Sequence, residues 1–240
     1  MALLEIRSLS KSFRGLRAVA RVSFEVPEGG LVALIGPNGA GKTTIFNMAA
    51  GVYAPDAGEI VFAGKRIDGL RPDQICAAGV GRTFQVVKPF VGLSVLDNVI
   101  VGALRAERRV PEARRLALGI LEKLNLGAKK DLPASSLTLP DRKRLEVARA
   151  LATGPRLLLL DEAMAGLRPT ECDQMVEVFR ALNRDGLTIL LIEHVMRAVM
   201  ALAQKVIVLH HGEIIAQGAP AEVVRDPGVL ECYLGEETEV

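Results

Sequence analysis

The feature that most limits what this chain can fold into is the turn Gly36-Pro37-Asn38-Gly39-Ala40-Gly41-Lys42-Thr43-Thr44. It stands between a wholly apolar run, LVALI, and a helical stretch, IFNMAAG. The turn fits G-x-x-x-x-G-K-[ST] with a strand before it and a helix after it, the context that gives the pattern meaning. Glycines let backbone N–H groups curl around phosphate oxygens with no Cβ in the way. The helix N-terminus adds its dipole. Lys42 reaches the β- and γ-phosphates as a point charge, and the Thr43 hydroxyl is placed to ligate Mg²⁺. From average residue usage, a chance match somewhere in such a chain is about one per cent, before the flanking strand and helix are required. The turn predicts a site for a triphosphate tail lined by residues 36–44.

The rest of the chain fits the fold such a turn demands. LLEIRSL and ARVSFEV read as strands, GEIVFAGKRI as a hairpin strand after the turn APDAG, and VGRTFQ as another short strand. The short apolar runs LVALIG, LLLLDE, LTILLIE and VIVLHHG read as strands buried on both faces of a parallel sheet. Predicted helices at 171–183 and 194–203 alternate with predicted strands at 157–160, 187–192 and 205–210, which argues for a doubly wound α/β core. Residues 93–151 read as helical, broken at Pro111 and by KKDLPASS, and interrupt the α/β pattern. The expected organisation is one domain, with a core at 1–92 and 152–240 and a helical subdomain inserted at 93–151.

Composition narrows the function classes. The chain is 50% hydrophobic, yet no apolar run approaches the ~18–20 residues of a membrane-spanning helix. Glu5 and Arg7 come too early for a secretory apolar segment, so a cytoplasmic location is expected. Cys76, Cys172 and Cys232 form no Cys-x-x-Cys pair and read as reduced, buried small residues. Net charge is +2, and the one basic cluster, LRAERRVPEARR, reads as the solvated side of helices, with no interleaved aromatic residue to stack a base. No nucleic-acid partner is expected.

Further chemistry sits at strand ends. RLLLLDE puts Asp161 and Glu162 at the end of a buried strand, where one carboxylate orients a Mg²⁺-bound water and the next polarises an attacking water. Taken alone such a pair is weak. Downstream of a phosphate loop it is strong, because parallel strands bring their carboxyl ends to one edge. LLIEH ends another strand with Glu193 and His194 at that same edge. Gln85 closes RTFQ, and alone would be read as a solvated glutamine.

In this order, the pieces resemble the nucleotide-binding subunit of an ABC transporter over essentially the full length. GPNGAGKTT matches the Walker A motif, LLLLDE the Walker B, Gln85 the Q-loop, His194 the switch histidine, and RLEVARAL the helix after the signature loop. Phe13 stands where the family stacks an aromatic ring on adenine. FRGLRAV, LSVLDNV, LLIEHVMRAVM and ECYLGE resemble the ATPases of branched-chain amino-acid importers; urea and short-amide importers look much the same. The resemblance implies a P-loop NTPase core with a parallel sheet, an N-terminal antiparallel β subdomain and the inserted helical subdomain. It implies ATP and Mg²⁺, with Thr43, Gln85 and Asp161 on the metal, Glu162 as hydrolytic base, and His194 on the γ-phosphate. It also implies two such chains head to tail, membrane permease subunits, an external solute-binding protein, and a place on the cytoplasmic face of the membrane. The permease groove is expected around Gln85, with Pro89, Phe90 and Leu93 as apolar anchors.

The departures concern the loop that would serve a partner's nucleotide. Leu137-Thr138-Leu139-Pro140-Asp141 replaces the family's Leu-Ser-Gly-Gly-Gln, and Arg168 replaces the usual acid or amide of the D-loop. Thr138 keeps a hydroxyl able to bond a phosphate. Pro140 lacks an N–H. Asp141 brings negative charge unless it faces away, and Thr138 or Asp141 is expected to cap the following helix. An unequal heterodimer is the favoured reading; a working lineage variant is the plain one. The competing functional readings are a soluble ABC ATPase, for which a chain of 240 residues leaves little room, and a regulatory ATP-binding module, against which Glu162 and His194 argue.

Overall fold

The structure, a computed structural model, describes residues 1–83 and 89–234. In chain order the elements are β1 (Ala2–Phe13), β2 (Leu16–Pro27), β3 (Leu31–Ile35), α1 (Lys42–Ala49), β4 (Ala57–Phe62), β5 (Lys65–Arg66), α2 (Pro72–Ala78) and β6 (Val80–Arg82). Then follow α3 (Val95–Ala103), α4 (Val110–Lys123), α5 (Leu139–Ala152), β7 (Leu157–Asp161), α6 (Pro169–Arg184), β8 (Thr188–Ile192) and α7 (Met196–Leu202). β9 (Lys205–His210), β10 (Glu213–Gly218), α8 (Pro220–Val223) and α9 (Pro227–Leu234) complete the described chain.

Two sheets form. The first is antiparallel, in the order β2-β1-β4-β5; the second runs β10-β9-β3-β8-β7-β6. In the second, β9, β3, β8, β7 and β6 are mutually parallel and β10 adds an antiparallel edge. The continuous apolar runs are explained by where alternate side chains go. Leu31, Ala33 and Ile35 of β3, with Leu158 and Leu160 of β7, join one core with Val99, Leu121, Leu145 and Phe179 of helices α3 to α6. Val32 and Leu34 of β3, with Leu157 and Leu159 of β7, join a second core on the opposite face, with Ile45 and Phe46 of α1 and Ile6, Phe24 and Ile60 of the antiparallel sheet. Each such Leu, Ile or Phe gains about 1.5–3 kcal/mol by burial.

Pro111 does not break a helix. It lies in the first turn of α4, where its missing N–H costs nothing. The break is the stretch 104–109 before it. KKDLPASS does interrupt the helical run, as single 3₁₀ turns at Gly127–Lys129 and Ala134–Ser136. The sequence reading passed over α2, α8 and α9, all short. The parallel strands share a direction, so Ile35, Asp161, Ile192 and Arg82 emerge at one edge of the sheet.

Candidate functional site

β3 delivers the chain into the 36–41 turn, and α1 carries it away. Two glycines there are fixed by what passes behind them. Gly36 sits at φ +143, and a Cβ on it would lie 2.0 Å from the Leu209 carbonyl oxygen of β9. Gly41, at φ +104, would meet the Ala18 carbonyl oxygen of β2 at 2.4 Å. α1 has no side-chain cap at Gly41, so its first-turn N–H groups receive no side-chain partner. Lys42 is buried, and its Nζ donates to the carbonyl oxygens of Gly36 (2.6 Å) and Pro37 (2.7 Å). The ammonium is folded back onto the loop, at the mouth of the space the turn encloses.

Asp161 ends β7 at 1% exposure. Its N–H donates to Thr83 Oγ1 at 3.1 Å, and its Oδ2 accepts from an Arg82 guanidinium nitrogen at 3.1 Å. Its Oδ1 is buried with no hydrogen-bond partner among the described residues. Burial pushes its pKa above the ordinary range, with the Arg82 charge opposing. Asp161 and Thr43 line one cleft of about 770 Å³. An orphaned carboxylate oxygen in a cleft that a hydroxyl also lines suits a small hard cation that keeps part of its water shell. Among the described residues no three His, Cys, Asp or Glu side chains gather to hold a metal unaided, so phosphate oxygens would supply the remaining ligands.

Glu162 follows at φ +50, a left-handed conformation that non-glycine residues adopt rarely. Its N–H donates to Ile192 O (3.0 Å), and its carbonyl accepts from Lys143 Nζ (2.9 Å). Strand β8 and helix α5 thus hold the twist, and the carboxylate comes 3.0 Å from His194 Nε2. Glu193, between the two, is 2% exposed and accepts from the Met164 N–H at 2.9 Å; burial raises its pKa to about 7.

Comparison with known proteins gives the family. A family profile described as "ABC transporter" matches residues 19–165. The chain belongs to the ABC transporter family. A second profile, "Branched-chain amino acid ATP-binding cassette transporter", matches residues 213–239. The high-affinity branched-chain amino acid transport ATP-binding protein LivG of Salmonella typhimurium is 40% identical over 98% of either chain. BraF of Pseudomonas aeruginosa, of the same description, is 38% identical over 98% of either chain. The lipopolysaccharide export ATP-binding protein LptB of Acidithiobacillus ferridurans is 35% identical over 99% of either chain. Among solved structures, an ATP-binding cassette of an ABC transporter in its ADP conformation superposes with TM-score 0.90 at 32% identity, over 98% of this chain and 99% of that one.

Within the ABC cassette, the remaining expected positions fall as follows. Gln85 lies outside the described residues. Phe13 ends β1, is 37% exposed, and packs edge-on against Tyr53, with ring centroids 5.2 Å apart. Phe90 is 44% exposed, its backbone pinned by Asn98 and its ring under the Arg149 guanidinium at 4.5 Å. Leu93 is exposed and Pro89 partly so.

The helix-cap expectation at the signature loop fails. Thr138 is the N-cap of α5 but makes no cap bond. Its hydroxyl donates instead to Asp141 Oδ2 at 2.7 Å. The reason is electrostatic: Asp141 is drawn inward by Lys129 and Arg144 and is 3% exposed. Burial opposes its charge, but bonds from Lys129 and Thr138 outweigh that and lower its pKa. Sequence reasoning missed Arg82, Thr83, Asn47 and Lys143; each acts on the site across a tertiary contact, and no motif marks it.

Proposed function

We propose that this chain is the ATP-hydrolysing motor subunit of an importer for branched-chain or other hydrophobic amino acids. The observation that carries the hydrolytic part is the meeting, at one sheet edge, of the Lys42 loop, the open oxygen of Asp161 and the Glu162–His194 pair. Lys42 exchanges its two loop carbonyls for the β- and γ-phosphates. Phe13, with Tyr53 edge-on beside it, offers an aromatic platform for adenine. Thr43 and Asp161 would hold Mg²⁺ with Gln85; the bound ion supplies charge neutralisation for the transferring phosphoryl group. Glu162 orients and deprotonates the attacking water, and His194, 3.0 Å away, holds both that carboxylate and the γ-phosphate in register.

The choice of solute rests on the likeness to LivG and BraF and on the C-terminal match at residues 213–239. LptB, named for lipopolysaccharide export, stands at the lower identity of 35%. In proteoliposomes with its permeases, ATP turnover by this chain should rise when a binding protein loaded with leucine is added, and Lys42→Ala should abolish it. Stimulation absent with every branched-chain amino acid would reject the solute assignment.

The chain pairs head to tail with a second, different cassette. Thr138 has one hydroxyl proton, and Asp141 takes it, so the oxygen would meet a phosphate with lone pairs only. Pro140 supplies no N–H. The composite site using this chain's signature loop is therefore the weaker one; a missing oxyanion-type donor costs about 10²–10³ in rate. Glu162→Gln in this chain should remove nearly all turnover of the pair, while the matching change in the partner should remove little. Equal losses refute the asymmetry.

A further inference from the structure

Arg82 is the last residue of β6 and belongs to none of the motifs above. Its side chain is 10% exposed and forks between two elements of the site. One terminal nitrogen donates to Asn47 Oδ1 on α1 at 2.7 Å; the other donates to Asp161 Oδ2 at the end of β7 at 3.1 Å. Thr83, the next residue, accepts the Asp161 N–H. The carboxylate is thereby fixed through its backbone and through one oxygen, and the other oxygen, Oδ1, stays without a partner among the described residues. Both Arg82 and Asp161 line the cleft that also contains Thr43.

We infer that Arg82 is a positioning residue for the metal-side carboxylate: it engages Oδ2 of Asp161, so that Oδ1 is left for the cation bound with the nucleotide. The inference rests on the proposed placement of Mg²⁺ between Thr43 and Asp161. A guanidinium is suited to the task because its planar fork reaches a carboxylate and an amide at once, whereas a lysine ammonium acts as a point charge. The same fork ties the helix that opens at the phosphate loop to the strand that carries Asp161, adding a polar link to the core that the two elements share. Groups that orient a metal ligand from behind typically change metal affinity by 10–100-fold when removed.

The effect should therefore fall on the metal-dependent share of nucleotide affinity and spare the rest. The experiment is a titration of the full chain with a fluorescent ATP analogue, in EDTA and in Mg²⁺, for wild type, Arg82→Gln and Arg82→Lys. Mn²⁺ spin-resonance titration with unlabelled ATP is run in parallel. Wild type should bind more tightly in Mg²⁺. Arg82→Gln should match wild type in EDTA and lose about ten-fold or more of the Mg²⁺ enhancement, with Mn²⁺ affinity falling alike. Arg82→Lys keeps the buried charge balanced but offers one nitrogen where the fork offers two to Asn47 and Asp161, and should lose several-fold. It is the deciding variant if Arg82→Gln does not fold. Full Mg²⁺ enhancement in the folded variants, or an equal loss in EDTA and in Mg²⁺, overturns the inference. If wild type itself shows no Mg²⁺ enhancement, the placement of the metal fails first, and the role of Arg82 falls with it.

Discussion

Replacing Glu193 by glutamine should make the stability of the cassette less dependent on pH. Glu193 is 2% exposed at the end of β8, and burial raises its pKa from 4.5 to about 7, with the Glu162 charge adding and the Met164 N–H and Lys143 opposing. Between those two pH values the folded chain holds a proton that the unfolded chain has released. Stability from this group is complete below pH ~4.5 and is lost as pH rises to about 7. At about 1.4 kcal/mol per tenfold in proton affinity, the whole loss is about 3.5 kcal/mol. Glutamine has nearly the same shape, its Oε1 still accepts the Met164 N–H, and it has no charge to bury. The assay is urea unfolding of wild type and Glu193→Gln at pH 5, 6, 7 and 8 without nucleotide. The difference between the two cancels the titrating groups that Glu193 does not touch. Wild type should lose about 2.5 kcal/mol relative to the variant between pH 5 and pH 8, the rest of the loss falling below pH 5. A constant difference across that range would show that the carboxyl titrates at its ordinary value, and that burial at the end of β8 does not protonate it.

Two further outcomes test the site and its surroundings. Gly41→Ala forces a Cβ to within 2.4 Å of the Ala18 carbonyl at φ +104, and the left-handed backbone alone costs about 1–2 kcal/mol. Its melting temperature should fall by about 2–4 °C per kcal/mol lost, together with ATP affinity, and an unchanged melt would contradict the packing of the loop on β2. Phe90→Asp removes an exposed ring whose backbone is held independently by Asn98. Unfolding free energy should change by less than about 1 kcal/mol, while co-purification with the permease subunits is lost; retained co-purification excludes Phe90 as an anchor.

What was legible in the sequence had a short range. Residues 36–44 carry their function in local backbone geometry and spacing, and the strands of the parallel sheet declare themselves because both faces are buried, leaving runs such as LLLLD with no polar interruption. The groups that act across the fold left no such trace. Arg82 could not be told from a surface arginine after a short strand, because its meaning comes from Asn47 and Asp161, 35 and 79 residues away. Lys143 reads as one more cation in RKRLEV, yet it is buried and bonds the Glu162 carbonyl, so the helix after the signature loop braces the backbone of the proposed hydrolytic base in the same chain. Asp141 shows the converse. Its sequence position suggested a helix cap or a charge set against phosphate, and the folded chain turns the carboxylate to Lys129, Arg144 and Thr138, because the two cations offer a buried carboxylate more than a helix N-terminus does. A departure from a motif is thus a question about partners. At residue 141 the partners lie inside the chain, and they take with them the hydroxyl proton of Thr138 that a neighbouring subunit's nucleotide would need.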